Sequence, residues 1–311
     1  MDTLTFTSKF VHYDVYKYRT QAARDLAWAL TSPSMMAHEL AVDERWGELE
    51  LARNQGLMSR LDDRGSELIH ALRNRQSGRL GEYFEILLIT WLDQIPPATI
   101  VASNQQVSRG GHTIGEFDLV FRRDRVVHHW ELAIKFYLGH PGPHGEQSWY
   151  GPNPRDRLDK KWRKMCRHQL RLADKPAGKE TLQKLGVDEP VEPAAFIKGY
   201  LFEPLDEAFA VDHHPHTNPH GLRGWWVHRG ALADFEERLD PTGERRWVTL
   251  SRLRWMSPAC PFDDDTLMSF SMLHGTLPPN RASLVAGLEE TEDGWREVTR
   301  GFVVPGRWPR R

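Results

Sequence analysis

The chain lacks the cysteine pairs, the long apolar runs and the one-sided charge from which many functions are legible at once. Its 311 residues include two cysteines, Cys166 and Cys260, far apart and outside any CxxC pair. That spacing argues against a disulfide framework or a zinc ribbon, and the expected location is a reducing cytoplasm. No apolar stretch approaches the roughly 18 residues of a membrane span, and the opening MDTLTFTSKFVHYDVYKYRT holds no run of signal-peptide length. The expectation is a protein neither exported nor membrane-spanning. Net charge is only -2, with a pI near 6.7. There is thus no global basic field, and any contact with DNA or RNA has to come from local patches.

What is present is material for a core: 40% hydrophobic residues and 12 tryptophans, enough for one large domain or two ordinary ones. Residues 15 to 61 read as helical, with a stop at Ser32-Pro33, because proline disfavours helix in its predecessor. In RLGEYFEILLITWLDQI, Leu80, Phe84, Leu87, Leu88, Trp91 and Ile95 recur at helical spacing before Pro96-Pro97. TIVASNQQV, IGEFDLVFR and RVVHHWELAIKFYL read as strands of an antiparallel meander, with RRDR as a turn. PGPHGEQSWYGPNPRD reads as a loop. A helix over DRLDKKWRKMCRHQLRLA follows, with Leu158, Trp162, Met165, Gln169 and Leu172 on one face, and AAFIKGYLF reads as a further strand. The rest alternates short strands, such as GLRGWWVH and RRWVTLSRLRWM, with loops.

Strand parity separates charge from grease in the meander. His129, Glu131, Ala133 and Lys135 share one face of HHWELAIKF, and Glu116 and Asp118 are set apart from Phe117, Leu119 and Phe121. If the segments pair as a hairpin, Asp118, Glu131 and Lys135 can converge. Two adjacent carboxylates repel unless a cation takes their charge, and Mg²⁺ or Mn²⁺ is the economical choice. A lysine beside them can orient a metal-bound water and offset charge on a phosphate.

At these residues the chain resembles the PD-(D/E)XK nuclease superfamily. In that superfamily a helix, an antiparallel meander and a second helix carry an aspartate, an acid-x-lysine and often a helix glutamate. Asp118 matches the aspartate, Lys135 the lysine, and Glu85 in GEYFEILL the helix glutamate. Ala133 stands where the second acid is expected; Glu131 lies two residues earlier on the same face, about 6.6 Å along the strand. DLAWALTSPSMM, RLGEYFE, GEFDLVF, WELAIKFYL, DRLDKKWRKMCRHQL, GYLF and GWWV together resemble the bacterial domain-of-unknown-function family numbered 1853, over about residues 20 to 230.

The resemblance implies an α/β fold: a helical cap over 1–74, a nuclease-like core of mixed sheet and flanking helices over 75–205, and a mixed C-terminal extension over 206–311. It implies a metal-dependent nuclease in which Asp118 and Glu131, with Glu85, hold Mg²⁺ or Mn²⁺ and Lys135 positions the attacking water. A non-catalytic nucleic-acid-binding protein or scaffold on the same fold is the alternative.

Other residues admit two readings. Glu131 with Lys135 can be a plain ion pair, and Glu85 can merely flank the apolar stripe. Gln169 sits on an apolar stripe where an unsatisfied amide is costly, so it is either a satisfied core residue or, with Lys161, part of the site. RDRLDKKWRKMCRHQLRLADK carries nine Lys or Arg against three Asp. Lys160, Lys161, Lys164 and Arg167 are therefore candidates for phosphate contact, or simply a solvated face. His213, His214, His216 and His220 in VDHHPHTNPHG invite a metal reading, but the prolines favour a loop. Cys166 reads as packing or surface, not as a nucleophile.

Overall fold

The computed structural model describes residues 14–142, 147–261 and 266–310. After a 3-10 turn at Val15–Lys17, five helices follow: α1 (Gln21–Thr31), α2 (Glu44–Arg53), α3 (Gln55–Leu61), α4 (Glu67–Arg73) and α5 (Leu80–Gln94). Thr20 starts α1 by accepting the Ala23 amide, and the helix stops at Ser32, before Pro33. In α5 the predicted stripe of Leu80, Phe84, Leu87, Leu88 and Trp91 is buried, as is Ile95 beyond its end.

The expected meander forms from β1 (Thr99–Arg109), β2 (His112–Arg123) and β3 (Val126–Pro141). Both its turns are two residues long with positive φ: Gly110 and Gly111 at 59° and 79°, Asp124 and Arg125 at 50° and 69°. Turns of this hand match the twist of the strands and fix their register.

Two expectations need correction. The segment read as a loop over 141–156 contains a short strand, β4 (Gln147–Tyr150), paired with the end of β3. Four strand residues among prolines and glycines leave little pattern to detect. Residues 143–146 lie outside those described. The helix read as continuous is broken into α6 (Leu158–Lys164), a π turn (Met165–Gln169) and a 3-10 turn (Leu172–Asp174). Its apolar stripe of Leu158, Trp162, Met165 and Leu172 is nevertheless buried.

The chain continues through α7 (Pro176–Lys184), β5 (Val191–Pro204), β6 (Leu222–His228), α8 (Glu236–Leu239), β7 (Arg246–Leu250), α9 (Phe270–Thr276), β8 (Ser283–Thr291) and β9 (Gly294–Val304). The fold is mixed α/β on a nine-stranded sheet ordered β1-β2-β3-β5-β6-β9-β8-β7, with β4 on β3. The β5–β6 and β6–β9 pairs are parallel, and the meander and the β7–β8–β9 run are antiparallel. Among the described residues, no helix is long and apolar enough to cross a membrane.

Contacts divide the chain into two compact units. The first comprises residues 17–134 and 160–198. In it Trp130 stacks on Phe196 at 5.3 Å and meets Trp46 and Phe121 edge-on at 4.8 and 5.0 Å. A second cluster joins Val107, Phe117, Val120 and Val127 of the meander to Leu172, Ala177 and Leu182.

The second unit comprises 1–16, 135–159 and 199–311. Trp225 is one of its fully buried anchors, with its indole N–H donating to the Thr299 hydroxyl at 2.8 Å. Gly301 makes room for that ring, since a Cβ there would lie 2.0 Å from it.

Candidate functional site

The site of the first unit grows from the end of a ladder. The ladder between β2 and β3 runs from Arg123 with Val126 to Leu119 with Trp130, so Asp118 and Glu131 are the next residues on their strands. Asp118 closes the ladder, its Oδ2 accepting the Leu132 amide at 3.0 Å. Glu131 is fully buried, and its carboxyl adjoins that of Asp118. The hairpin therefore brings together the two acids that parity singled out.

Burial raises both carboxyls to about 7, from ordinary values of 3.8 for Asp118 and 4.5 for Glu131. After burial, the neighbouring Glu131 adds most to the rise at Asp118. At Glu131 the charge of Lys161 pulls the other way. Between them the acids retain a proton up to near-neutral pH, and the pair titrates as a unit. Glu85 of α5 belongs to the same field. Burial first, and then the charge of Asp118, lift it to about 7, against a hydrogen bond from the Asn104 side chain. Asn104 itself holds a positive φ of 50° within β1, a conformation asparagine tolerates better than most residues.

Glu131 is held on both sides. One oxygen, Oε1, meets His129 Nε2 at 3.0 Å, and Oε2 accepts the side-chain amide of Gln169. Gln169 Oε1 in turn accepts from Lys161 Nζ at 3.2 Å. Gln169 is thus satisfied and, in the same stroke, attached to the acid pair. Burial lowers His129 to about 4, so its ring is neutral and donates Nε2–H to the carboxylate.

The π turn is what aims Gln169. Such a turn inserts one extra residue into a helix and commonly occurs where function demands an off-register side chain. Gly178 lets α7 close against this region, because a Cβ there would lie 1.9 Å from the Leu172 carbonyl oxygen. Backbone cannot yield as a side chain can, so Gly178→Ala is expected to destabilise by about 1–3 kcal/mol despite better helix propensity. Urea unfolding checks this; an unchanged midpoint would mean that the close approach is not rigid.

A cleft of about 410 Å³ opens at Asp118, lined also by Glu116, Gln169, Lys164, His168 and Lys175 among others, with Glu131 buried behind it. Lys164 is one of the expected cationic candidates; Lys160 and Arg167 are exposed on the same helical segment. Asn104, His168 and Lys175 were not singled out from sequence, since no local pattern distinguishes them from ordinary polar residues.

Lys135 belongs to the second unit, where its ammonium bonds Asp156 Oδ2 at 2.7 Å and Tyr137 donates to Asp156 Oδ1 at 3.1 Å. The lysine beside the acids within the first unit is Lys161. In the histidine segment, His214 and His216 have ring centroids 5.7 Å apart. Cys166 is a free, half-buried thiol in the π turn.

A small divalent cation suits the chemistry of this donor set, two adjacent carboxyls whose joint ionisation is costly. Among the described residues, no group of three or more His, Cys, Asp or Glu is arranged to hold a metal by itself. Magnesium commonly binds through one or two carboxylates and completes its octahedron with water and substrate phosphate, so a two-carboxylate anchor fits it.

A family model described as "Domain of unknown function (DUF1853)" matches residues 24–304. No curated protein and no solved structure matches the chain.

Proposed function

For a chain that belongs to the DUF1853 family, we propose metal-dependent hydrolysis of phosphodiester bonds in nucleic acid, on a core of the PD-(D/E)XK nuclease type. The order α5, β1–β2–β3, α6 supports that core. The observation that carries the function is the acid pair Asp118–Glu131, buried and tethered by Leu132, His129 and Gln169, of which Asp118 lines a cleft that also presents Lys164 and Lys175.

In this reading Asp118 and Glu131 hold Mg²⁺ or Mn²⁺, with Glu85 supporting the shell from α5. When bound, such a cation would supply Lewis-acid stabilisation of a phosphate under attack. The remaining work falls to side chains. Lys164 and Lys175 bind the phosphate from the cleft wall by charge-assisted hydrogen bonds. Lys161, acting with Gln169, fixes the direction of Glu131 and offsets negative charge as it develops. Neutral His129 holds the other oxygen of Glu131, so that the carboxylate does not rotate.

A second reading is favoured by one observation: both Glu131 oxygens already have protein partners. On that reading the network is a structural polar core, and the protein binds nucleic acid or serves as a scaffold without cleaving. Incubation with linear, supercoiled, branched and single-stranded DNA and RNA decides between them, with Mg²⁺, Mn²⁺ or EDTA. Expected is cleavage only with metal, lost in Asp118→Asn and reduced in Lys161→Ala; Lys135→Ala in the same assay separates the two lysines. Silence on every substrate, together with no metal-dependent rise in melting temperature, would establish the second reading, since a ligand of the folded state must raise apparent stability.

A further inference from the structure

The second unit contains a cleft that the acid site does not use. It has a volume of about 800 Å³ and is lined by Arg155, Arg307, Arg310, Asn153, Asn280 and Trp308, with prolines and a glycine completing the wall. No acidic residue lines it. The three arginines come from two stretches of chain, one after β4 and one after β9, and all three are exposed.

Five other arginines of this unit are neutralised. Arg157, Arg223, Arg245, Arg296 and Arg300 each hold a carboxylate, on Asp159, Glu203, Glu289, Asp14 or Asp293, and Glu297 respectively. Arg155, Arg307 and Arg310 have no carboxylate within ion-pair distance among the described residues. Three like charges gathered around one cleft repel each other in a chain that is net acidic, and an anion bound among them relieves that repulsion.

The segments bearing them are tied down by hydrogen bonds. Trp308 donates its indole N–H to the Gly151 carbonyl at 3.3 Å and its backbone carbonyl meets His228 Nε2 at 2.9 Å. Backbone bonds from Trp308 to Pro305 and from Arg310 to Arg307, at 2.9 and 2.7 Å, close turns that present the guanidinium groups. On the other wall, the Arg155 amide donates to Asn153 Oδ1 at 3.2 Å.

We propose that this arginine cleft is a sequence-independent binding site for the phosphodiester backbone of a nucleic acid. Guanidinium groups match phosphate oxygens bidentately, and asparagine side chains supply neutral contacts to phosphate and sugar. Its exposed arginines and its volume suit a strand lying along the cleft. The proposal rests on the nucleic-acid half of the function above and not on catalysis.

The test is fluorescence anisotropy of labelled single-stranded DNA and RNA oligonucleotides with the full chain, in EDTA so that nothing is cleaved. Joint replacement of Arg155, Arg307 and Arg310 by glutamate is expected to weaken binding at low salt at least about tenfold. It should also flatten the slope of log affinity against log salt by about 2, given about 0.7 per phosphate contact on single strands. The glutamine triple variant, which carries no new charge, should give the same change of slope while keeping the wild-type melting temperature. Unchanged affinity and slope in both variants would overturn the proposal, as would capture of anionic vesicles through these arginines in the absence of oligonucleotide binding. If hydrolysis is never found but the arginine variants lose binding, the catalytic reading fails and this site stands. If the variants bind normally and metal-dependent cleavage persists, the reverse holds.

Discussion

Asp118→Asn is expected to lower metal-dependent hydrolysis by at least about 10²–10³-fold and, in EDTA at pH 8, to raise the melting temperature. The two effects share one cause. Asparagine keeps an oxygen to accept the Leu132 amide, so the end of the ladder survives, but it removes one of two neighbouring buried acids. Glu85, Asp118 and Glu131 all have folded-state pKa values of about 7, above their ordinary 4.5, 3.8 and 4.5. Such groups bind more protons folded than unfolded between about 4 and 7, so each subtracts stability as pH rises through that window. His129 works oppositely: lowered from 6.5 to about 4, it adds stability as pH rises over that interval. His128, His140 and His214 are lowered by burial in the same way, but the histidines act only below 6.5, and above it the acids of the site still titrate. The wild type should therefore melt lower at pH 8 than at pH 6.5 without metal, and Asp118→Asn should narrow the gap. Mg²⁺ should narrow it in the wild type alone. Differential scanning calorimetry across pH supplies the measurement, and a variant less stable than wild type at pH 8 would mark Asp118 as a structural acid.

Trp130→Ala is expected to cost about 3–5 kcal/mol, the range for truncating a large buried aromatic. Trp130 lies on β3 beside Glu131, packed against Trp46, Phe121 and Phe196. Its loss empties the face of the sheet opposite to the one that carries the acid, and lets β3 shift where Glu131 must stay registered with Asp118. Hydrolysis should fall along with stability, whereas Trp130→Phe should retain most of both. A urea midpoint shifted by less than about 1 kcal/mol in Trp130→Ala would show that the cluster can close over the cavity.

The helices and the meander were legible because their patterns are local. The α5 stripe and the Ser32-Pro33 stop depend on spacing and on proline sterics, and the Asp118–Glu131 approach follows from parity together with a tight turn at Asp124-Arg125. The π turn was not legible, since a helical period has no mark for one inserted residue, and a stripe that jumps by one still reads as apolar. For the same reason Gln169 could be suspected as an amide on a greasy face, but its partner could not be named. The ion pair of Lys135 with Asp156 joins a strand to a loop of proline and glycine, where no periodicity indicates which acid comes near. Asn104 shows the same limit: asparagine tolerates positive φ, yet nothing in TIVASNQQV tells which residue takes it.

The interleaving of the two units has a consequence in time. As the chain leaves the ribosome, the first unit has all its residues once position 198 has emerged, but the second has received only 1–16 and 135–159. Phe136, buried in the finished protein, must wait for Tyr200 and Trp255, the rings it packs against. At about 5–20 residues per second that wait is on the order of ten seconds. An apolar segment held unsatisfied for so long is a natural client for chaperones, and the rate of translation through residues 199–304 sets how long it needs one.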